Sequence, residues 1–327
     1  MAAPTRRLLL ATAALAVPGL GRAQALPRLG VLLLPAEGDP DAAPRRTALL
    51  QALAALGWRD RETIRIEIRW GGAQPETLAR SAREIVDLAP DLILANGTPA
   101  VTTLHRLTRR IPIVAAQVID PVGLGVAESL ARPGGNVTGF TFISPELIAK
   151  WLALLQEVAP DLRRAALPYN PAFNPWYAGA LEEIARSPQP PQLEVVQTII
   201  RSGEELLAAI PVLAQVPGTG LVLGPENVML SRIGTLAQMA LALRLPGISV
   251  YPQFAAQGGL LSYGPDVLDI LRNAASYVDR ILRGASPATL PMQQPVRFNL
   301  ALNLATAATL GLSISPSLLA AADTVIE

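Results

Sequence analysis

Short apolar runs alternate with amphipathic stretches along most of this chain, from residue 28 onward. Arg28–Leu34, Asp91–Ala95 and Ile111–Val118 are predicted to be buried strands, because they are short and mostly apolar. The stretches between them repeat apolar residues at helical spacing, as in Pro75–Leu88. Thr63–Trp70 instead alternates isoleucine with charged residues, which predicts a half-exposed strand. Strands separated by helices predict a parallel sheet with right-handed crossovers.

The same alternation starts again near residue 144 and continues to residue 283. Predicted strands cover 164–168, 193–200, 220–223, 247–251 and 258–263, and predicted helices cover 144–158, 173–186, 204–215, 227–243 and 265–283. A chain of 327 residues is long enough for two domains. Two series of this kind favour an α/β fold with two doubly wound lobes over one large sheet.

Four predicted strands are followed by a helix-capping residue and a proline. The pairs are Thr98-Pro99, Asp120-Pro121, Ser144-Pro145 and Asn170-Pro171. Each pair predicts the start of a helix, because these residue types are favoured at the N-cap and proline suits the first helical position. Helix N-termini attract anions, and open α/β sheets bind ligands at the carboxyl ends of their strands. The pairs together predict a cleft for a small polar molecule, although each one alone is also explained as an ordinary cap.

The first 25 residues have the pattern of an export signal. Arg6 and Arg7 precede the apolar run Leu8–Val17, and Ala23-Gln24-Ala25 fits the small-x-small cleavage pattern. We expect cleavage after Ala25, by either the Sec or the twin-arginine route. The apolar run is about ten residues, too short to cross a bilayer as a helix. The mature protein is therefore expected to be exported without a membrane anchor.

Charge and composition exclude several classes of function. The formal net charge is +1, so there is no electrostatic case for nucleic-acid binding. The chain has no cysteine and a single histidine, His105, which removes the parts of most thiol, zinc and triad chemistry. Gly123-Leu124-Gly125 begins a dinucleotide fingerprint, but Glu128 stands where the third glycine is needed. We expect no enzyme activity, no metal and no cofactor; a flavodoxin-like hydrolase is a distant alternative.

Several longer stretches carry a family likeness. They include Ile64–Trp70, Gly97-Thr98-Pro99-Ala100, Asp120-Pro121-Val122-Gly123, Ser129–Gly139, Asn170-Pro171 and Gly258–Gly264. From Arg28 to the C-terminus the chain resembles the substrate-binding proteins of ABC importers, in the branch that includes tryptophan-binding lipoproteins. Ser129–Gly139 is the most specific of these matches. Without a cysteine the chain departs from the lipoprotein members.

The resemblance implies a type I periplasmic-binding fold, in which a three-crossover hinge joins two lobes. The crossovers are expected near residues 142–144, 263–266 and 292–296. Residues 26–142 plus 266–293 would form lobe 1, and residues 143–265 plus 294–327 would form lobe 2.

The resemblance also implies a ligand site between the lobes. Its expected residues are Thr98, Asp120, Ser144, Asn170, Asn227, Tyr263 and Asp266. The helix starts at Thr98 and Ser144 would hold a ligand carboxylate, and Asp120 or Asp266 would meet an amine. Leu167-Pro168-Tyr169 and Pro225-Glu226-Asn227 depart from the family pattern, so no particular ligand is transferred.

The implied function is that of a periplasmic substrate-binding protein of an ABC importer. It would capture an amino acid or a related organic acid by hinge closure, as a monomer, and deliver it to a permease in the inner membrane. The alternative is a sensory receptor that presents its ligand to a membrane signalling protein. Neighbouring genes for a permease and an ATPase would favour import.

Overall fold

The computed structural model describes residues 25–72, 74–172, 174–186 and 193–327. Residues 1–24 of the predicted signal peptide, which ends at Ala25, lie outside them. Within the described part of the chain, no helix is both long and apolar enough to span a membrane.

The first lobe is built on a five-stranded parallel sheet with the strand order β2-β1-β3-β4-β5. Its strands are β1 (Arg28–Leu33), β2 (Arg65–Trp70), β3 (Leu92–Asn96), β4 (Ile113–Val118) and β5 (Val137–Thr141). Its helices are α1 (Ala42–Ala55), α2 (Pro75–Asp87) and α3 (Thr98–Leu107), together with α10 (Val267–Leu282) from much later in the chain. Neighbouring residues of β3 face opposite sides: Leu94 packs in the core with α1 and α10, whereas Ile93 packs with α2 and α3. Helices on both faces confirm the doubly wound prediction.

The second lobe is built on a seven-stranded sheet with the strand order β12-β11-β10-β9-β8-β6-β7. Its strands are β6 (Arg164–Tyr169), β7 (Glu194–Ile199), β8 (Thr219–Leu223), β9 (Gly247–Ser249), β10 (Leu261–Pro265), β11 (Phe298–Asn303) and β12 (Thr324–Ile326). Its helices are α4 (Pro145–Val158), α5 (Trp176–Ala185), α6 (Gly203–Ala214), α7 (Asn227–Leu230), α8 (Ile233–Ala242), α9 (Pro252–Ala256), α11 (Leu304–Leu310) and α12 (Pro316–Ala320). All strand pairs are parallel except β10 with β11.

The chain passes between the lobes three times. It leaves the first sheet after β5, returns from β10 into α10, and leaves again after a short 3-10 helix at Pro287–Thr289. Before the last crossing, Gln293 adds a bridge to the edge of β5, donating its N–H to Gly139 O at 2.8 Å and accepting from Thr141 N at 2.8 Å. The first lobe is thus completed by a late segment of the sequence, which makes the lobes interdependent.

Two of the four predicted helix starts are wrong. Residues after Asp120 form turns, and α5 begins at Trp176 rather than next to Asn170. In both places the side chain closes a local turn: Asp120 Oδ1 accepts from Gly123 N at 2.9 Å, and Asn170 Oδ1 accepts from Ala172 N at 3.0 Å. Short polar side chains favour such turns as readily as they favour helix caps.

The other two pairs do lie at helix starts, but neither side chain makes a capping hydrogen bond. Thr98 is the first residue of α3, and the N-cap is Gly97, whose φ of 92° favours glycine. Ser144 is the N-cap of α4. The predicted helix over 227–243 is divided into α7 and α8, and the sequence pattern did not predict β11, β12 and α9.

Candidate functional site

The carboxyl edge of the first sheet carries a buried group of polar side chains. Asn96 ends β3 and Gln117 lies near the end of β4, and both are buried. Arg45, on α1, donates from Nη1 to Asn96 Oδ1 and to Gln117 Oε1, both at 3.1 Å. Asn96 Nδ2 in turn donates to Gln117 Oε1. Two neutral amides therefore hold the guanidinium of Arg45 at the ends of two adjacent strands.

Backbone strain accompanies this arrangement. The pairing of β4 with β5 shifts its register between Ala116 and Val118, and Gln117 between them has a φ of 68°. A non-glycine residue in the left-handed region is uncommon and costs free energy, of order 1–3 kcal/mol. Bulges of this kind redirect a side chain and occur often beside functional sites. Here the bulge coincides with the residue whose amide contacts both Arg45 and Asn96.

The charge of Arg45 is only loosely compensated. Its side chain is 12% exposed, and the nearest carboxylate, Asp41, lies 3.6 Å from Nη2. Burial lowers the pKa of Arg45, and the neighbouring Asp41 opposes this shift. Arginine nevertheless stays protonated in proteins, so this position carries a buried positive charge.

The second lobe places a buried carboxylate at the corresponding edge of its sheet. Glu226, which follows β8, is 3% exposed. Its Oε1 accepts hydrogen bonds from Asn174 Nδ2 at 2.7 Å and from the backbone N–H of Asn170 at 3.2 Å. Burial raises the pKa of Glu226, while these two hydrogen bonds oppose the shift. In the described residues, no arginine or lysine lies within salt-bridge distance of this carboxylate.

Two tyrosines lie beside Glu226. The hydroxyl of Tyr177 is fully buried and has no hydrogen-bond partner among the described atoms. It also lies so close to Gly224 that a Cβ there would be 1.9 Å away, so only glycine fits. Tyr251 reaches the backbone oxygen of Glu226 at 3.5 Å. Burial and the negative charge of Glu226 raise the pKa of both phenols.

The two polar groups meet across the lobes. Gln253, at the start of α9, donates from Nε2 to both carboxylate oxygens of Asp41 at 3.1 Å. Tyr251, next to it, is close enough to Arg45 that the guanidinium lowers its pKa against the larger effect of burial. We call this set the interlobe cluster. Its members are Asp41, Arg45, Asn96 and Gln117 from the first lobe and Asn170, Asn174, Tyr177, Glu226, Tyr251 and Gln253 from the second.

Three of the residues expected from the sequence lie in or next to the interlobe cluster. Asn170 belongs to it through Glu226. Thr98 follows shortly after Asn96 and accepts a hydrogen bond from Ile119 N at 2.9 Å, which ties the loops after β3 and β4 together. Asp120 lies in the second of these loops and is half-buried.

Three further expected residues lie at the hinge, where Asp266 and Tyr263 have partners of their own. Asp266 caps α10 by accepting from Leu268 N at 2.9 Å and Asp269 N at 3.0 Å, and Arg297 lies 3.5 Å from its carboxylate. Tyr263 stacks on Phe298 with ring centroids 5.5 Å apart. Ser144 occupies the N-cap position of α4, which follows the first crossing, without a side-chain capping hydrogen bond.

The last expected residue, Asn227, begins α7, and its side chain lies outside the described part of the structure. The ligand-binding role of all seven residues stays a prediction.

Sequence reasoning assigned no role in the site to Arg45, Asp41 and Gln253. They lie at or near helix starts with no motif around them, and their partners are far away in the sequence. A signal did exist for Asn96, Gln117 and Glu226, since each is a polar residue at or just beyond the end of a buried strand.

An open groove of about 670 Å³ lies elsewhere, between α1 and α10, and includes Pro44, Thr47, Leu268 and Arg272. It contains no member of the interlobe cluster. Since ligand recognition requires polar groups that converge, the cluster is the stronger candidate site.

Two α/β lobes with a triple connection and a polar site between them define the class of type I periplasmic binding proteins, and solved structures of this class are among those that match. The family model described as "ABC transporter substrate binding protein" matches residues 37–326. The chain therefore belongs to the family of ABC transporter substrate-binding proteins. This family consists of solute-binding proteins, which are generally exported.

Individual relatives are more distant. A tyrosine-binding protein of Clostridioides difficile is 26% identical over 250 residues, which cover 76% of this chain and 70% of that protein. The structure of an ABC domain in complex with L-Trp from Streptococcus pneumonia matches with a TM-score of 0.82 at 22% identity, and the match covers 92% of this chain and 100% of that one.

A ligand-free, open structure of a substrate-binding protein from Clostridium difficile has a TM-score of 0.71 at 24% identity. The match covers 92% of this chain and 99% of that one. At these identities, the two solved structures establish the fold.

Proposed function

We propose that this protein is the substrate-binding component of an ABC importer and captures an amino acid between its two lobes. The observation that carries this proposal is the interlobe cluster, in which both sheets direct polar side chains from their carboxyl edges toward one another. Ligands of open α/β sheets bind at this edge. The names of the matching proteins support an amino acid as the ligand, since they refer to tyrosine and L-Trp.

Hinge closure is the proposed mechanism. The contact of Gln253 with Asp41 joins the two lobes directly and supports a closed arrangement. Closure removes water from the site, and this strengthens every electrostatic contact with a bound ligand.

The proposed contacts include those expected from the sequence. Asn170 and the loops of Thr98 and Asp120 lie on the cluster, while Ser144, Tyr263 and Asp266 lie at the hinge and Asn227 at the start of α7. We further propose export to the periplasm after cleavage at Ala25, a monomeric state, and docking of the closed form on an inner-membrane permease.

The experiment is a thermal-shift and calorimetric screen of the mature chain, residues 26–327. The panel contains the L-amino acids, including L-tyrosine and L-tryptophan, and small organic acids. A ligand that binds only the folded state raises the melting temperature as its concentration rises. X-ray scattering of the same samples should show a smaller radius of gyration with the ligand present than without it. A screen in which no compound binds would contradict the proposed function.

A second experiment separates import from sensing. A permease and an ATPase encoded by neighbouring genes are reconstituted in liposomes. This transporter should hydrolyse ATP faster with the liganded protein than with the ligand alone. Unchanged ATP hydrolysis, together with stimulation of a membrane kinase, would favour the sensory alternative.

A further inference from the structure

Each lobe contributes one buried charge to the interlobe cluster, and the two charges have opposite signs. On the first lobe, Arg45 donates its described hydrogen bonds through Nη1 alone, to the neutral side chains of Asn96 and Gln117. Its Nη2 lies 3.6 Å from Asp41, a carboxylate that is itself 36% exposed and shared with Gln253. A guanidinium presents its donors as a planar fork, which suits a second, bidentate carboxylate partner.

On the second lobe, the carboxylate of Glu226 is held by neutral donors. Both of its described hydrogen bonds go to Oε1, from Asn170 and Asn174. In the described part of the chain, no cation lies within 4.0 Å of this carboxylate. Buried charges are normally paired, so a buried carboxylate beside an interlobe contact is suited to a cationic group of a ligand.

The two charges lie on either side of the contact between the lobes. On the second lobe, the hydroxyl of Tyr251 lies 3.5 Å from the backbone oxygen of Glu226, and Gln253, two residues further on, donates to Asp41, one helical turn before Arg45. A ligand between the lobes therefore meets a positive charge on one side and a negative charge on the other.

Resting on the proposed function, we propose that Arg45 and Glu226 select the head group of an α-amino acid. Arg45 binds the carboxylate of the ligand, and Glu226 binds the ammonium group of the ligand. This pairing differs from the sequence expectation, which placed the amine at Asp120 or Asp266. Those carboxylates already accept local backbone hydrogen bonds, and Asp266 also lies beside two arginines. The site would consequently reject both the free amine and the free acid of the same side chain.

The test compares three compounds that share a side chain. L-Tyrosine, tyramine and 3-(4-hydroxyphenyl)propionate form one set, and L-tryptophan, tryptamine and indole-3-propionate form a second. Calorimetry with the wild-type protein should show that the amino acid binds at least about 30-fold tighter than either analogue, because loss of one partner leaves the other charge buried and unpaired.

Two variants assign the two ends of the head group. Arg45→Met should reduce the preference for the amino acid over tyramine or tryptamine, which lack the carboxylate. It should leave the preference over the two propionates, which lack the amine, in place. Glu226→Gln keeps the shape and the Oε1 acceptor, and should do the reverse. Arg46→Met and Glu183→Gln, exposed neighbours on α1 and α5, are the matched controls. If Arg45→Met does not fold, Arg45→Lys replaces it; because lysine keeps the charge but loses the bidentate fork, the preference over the amine should fall without disappearing, and an unchanged preference counts against the assignment.

Each outcome has a distinct meaning. Selective loss of one preference in each variant supports the proposal, since a purely structural role would weaken all three compounds alike. Equal weakening of all three, or unchanged ratios, would overturn it while leaving amino-acid binding intact. If the wild-type protein binds no member of either set and no other amino acid, the proposed function itself fails.

Discussion

Each lobe holds one buried charged side chain at the edge of its sheet, and the charge is positive on the first lobe and negative on the second. On the first lobe a helix brings Arg45 to the strand ends, and side-chain amides accept its hydrogen bonds. On the second lobe Glu226 follows a strand, and a backbone N–H and a side-chain amide donate to it. Neutral groups can hold a buried ion in position, but they do not neutralise it. Glu226 therefore keeps an uncompensated charge and Arg45 is compensated in part by Asp41, 3.6 Å away, so a ligand that carries both signs of charge would complete the pairing on both lobes.

The lobes also differ in the kind of local constraint that each one carries beside the interlobe cluster. The first lobe carries it in the backbone, at the bulge of Gln117. The second lobe carries a packing constraint instead, at the close approach of Tyr177 to Gly224. The stability of the first lobe's part of the interlobe cluster, the first face, is consequently more sensitive to loss of a polar partner. The stability of the second lobe's part, the second face, is more sensitive to added volume.

The largest effect is expected from breaking the first face. Arg45→Met leaves the buried Oδ1 of Asn96 without its described donor, at a cost of about 1–3 kcal/mol, and it also removes one of the two donors to Gln117 Oε1. Urea unfolding of the ligand-free protein measures this loss of stability. Arg46→Met, on the exposed side of the same helix, should stay within about 0.5 kcal/mol of the wild type. Equal stability of the two variants would show that Arg45 does not support the amides.

The second face should respond to volume. Gly224→Ala places a Cβ against the hydroxyl of Tyr177, and overpacking of this kind costs about 1–3 kcal/mol. The same substitution in a Tyr177→Phe background should cost less, because the colliding oxygen is gone. Thermal unfolding of the four proteins in this cycle checks the coupling. A cost that is the same in both backgrounds would place the constraint elsewhere.

The contact between the faces should have a smaller effect. Gln253→Ala removes the hydrogen bonds to Asp41, which are partly exposed, so we expect a loss of about 1 kcal/mol or less. The informative measurement is X-ray scattering, in which the ligand-free variant should have a larger radius of gyration than the wild type. Gln257→Ala, at the other end of α9, serves as the comparison. An unchanged radius would mean that this contact does not hold the lobes together.

The smallest effect is a change in how the stability of the protein depends on pH. Since burial raises the pKa of Glu226, the folded state binds more protons than the unfolded chain. The contribution of this group to stability is therefore greatest at pH values below the unfolded pKa of about 4.3, and is lost as the pH rises through the folded pKa. Glu226→Gln should gain stability relative to the wild type over this window. Melting curves of both proteins from pH 4 to 8 measure the difference, and a constant difference would contradict the raised pKa.

Much of the fold could be predicted from local patterns. Alternating apolar runs and helical spacing identified most strands and helices of both lobes, because burial on one face leaves a periodic trace in the sequence. The capping pairs were less reliable. Asp120 and Asn170 close turns instead of helices, since the same side chains satisfy either backbone geometry.

The sequence by itself determined the elements, the doubly wound pattern and the strand ends at which polar residues collect. Only the tertiary structure decided that Arg45 reaches amides 51 and 72 residues away and that Asp41 meets Gln253. The physical reason is that periodicity records which face of an element is buried, but not against what. Which polar ends face each other depends on strand order and on the three crossings, and these are set by packing over the whole chain.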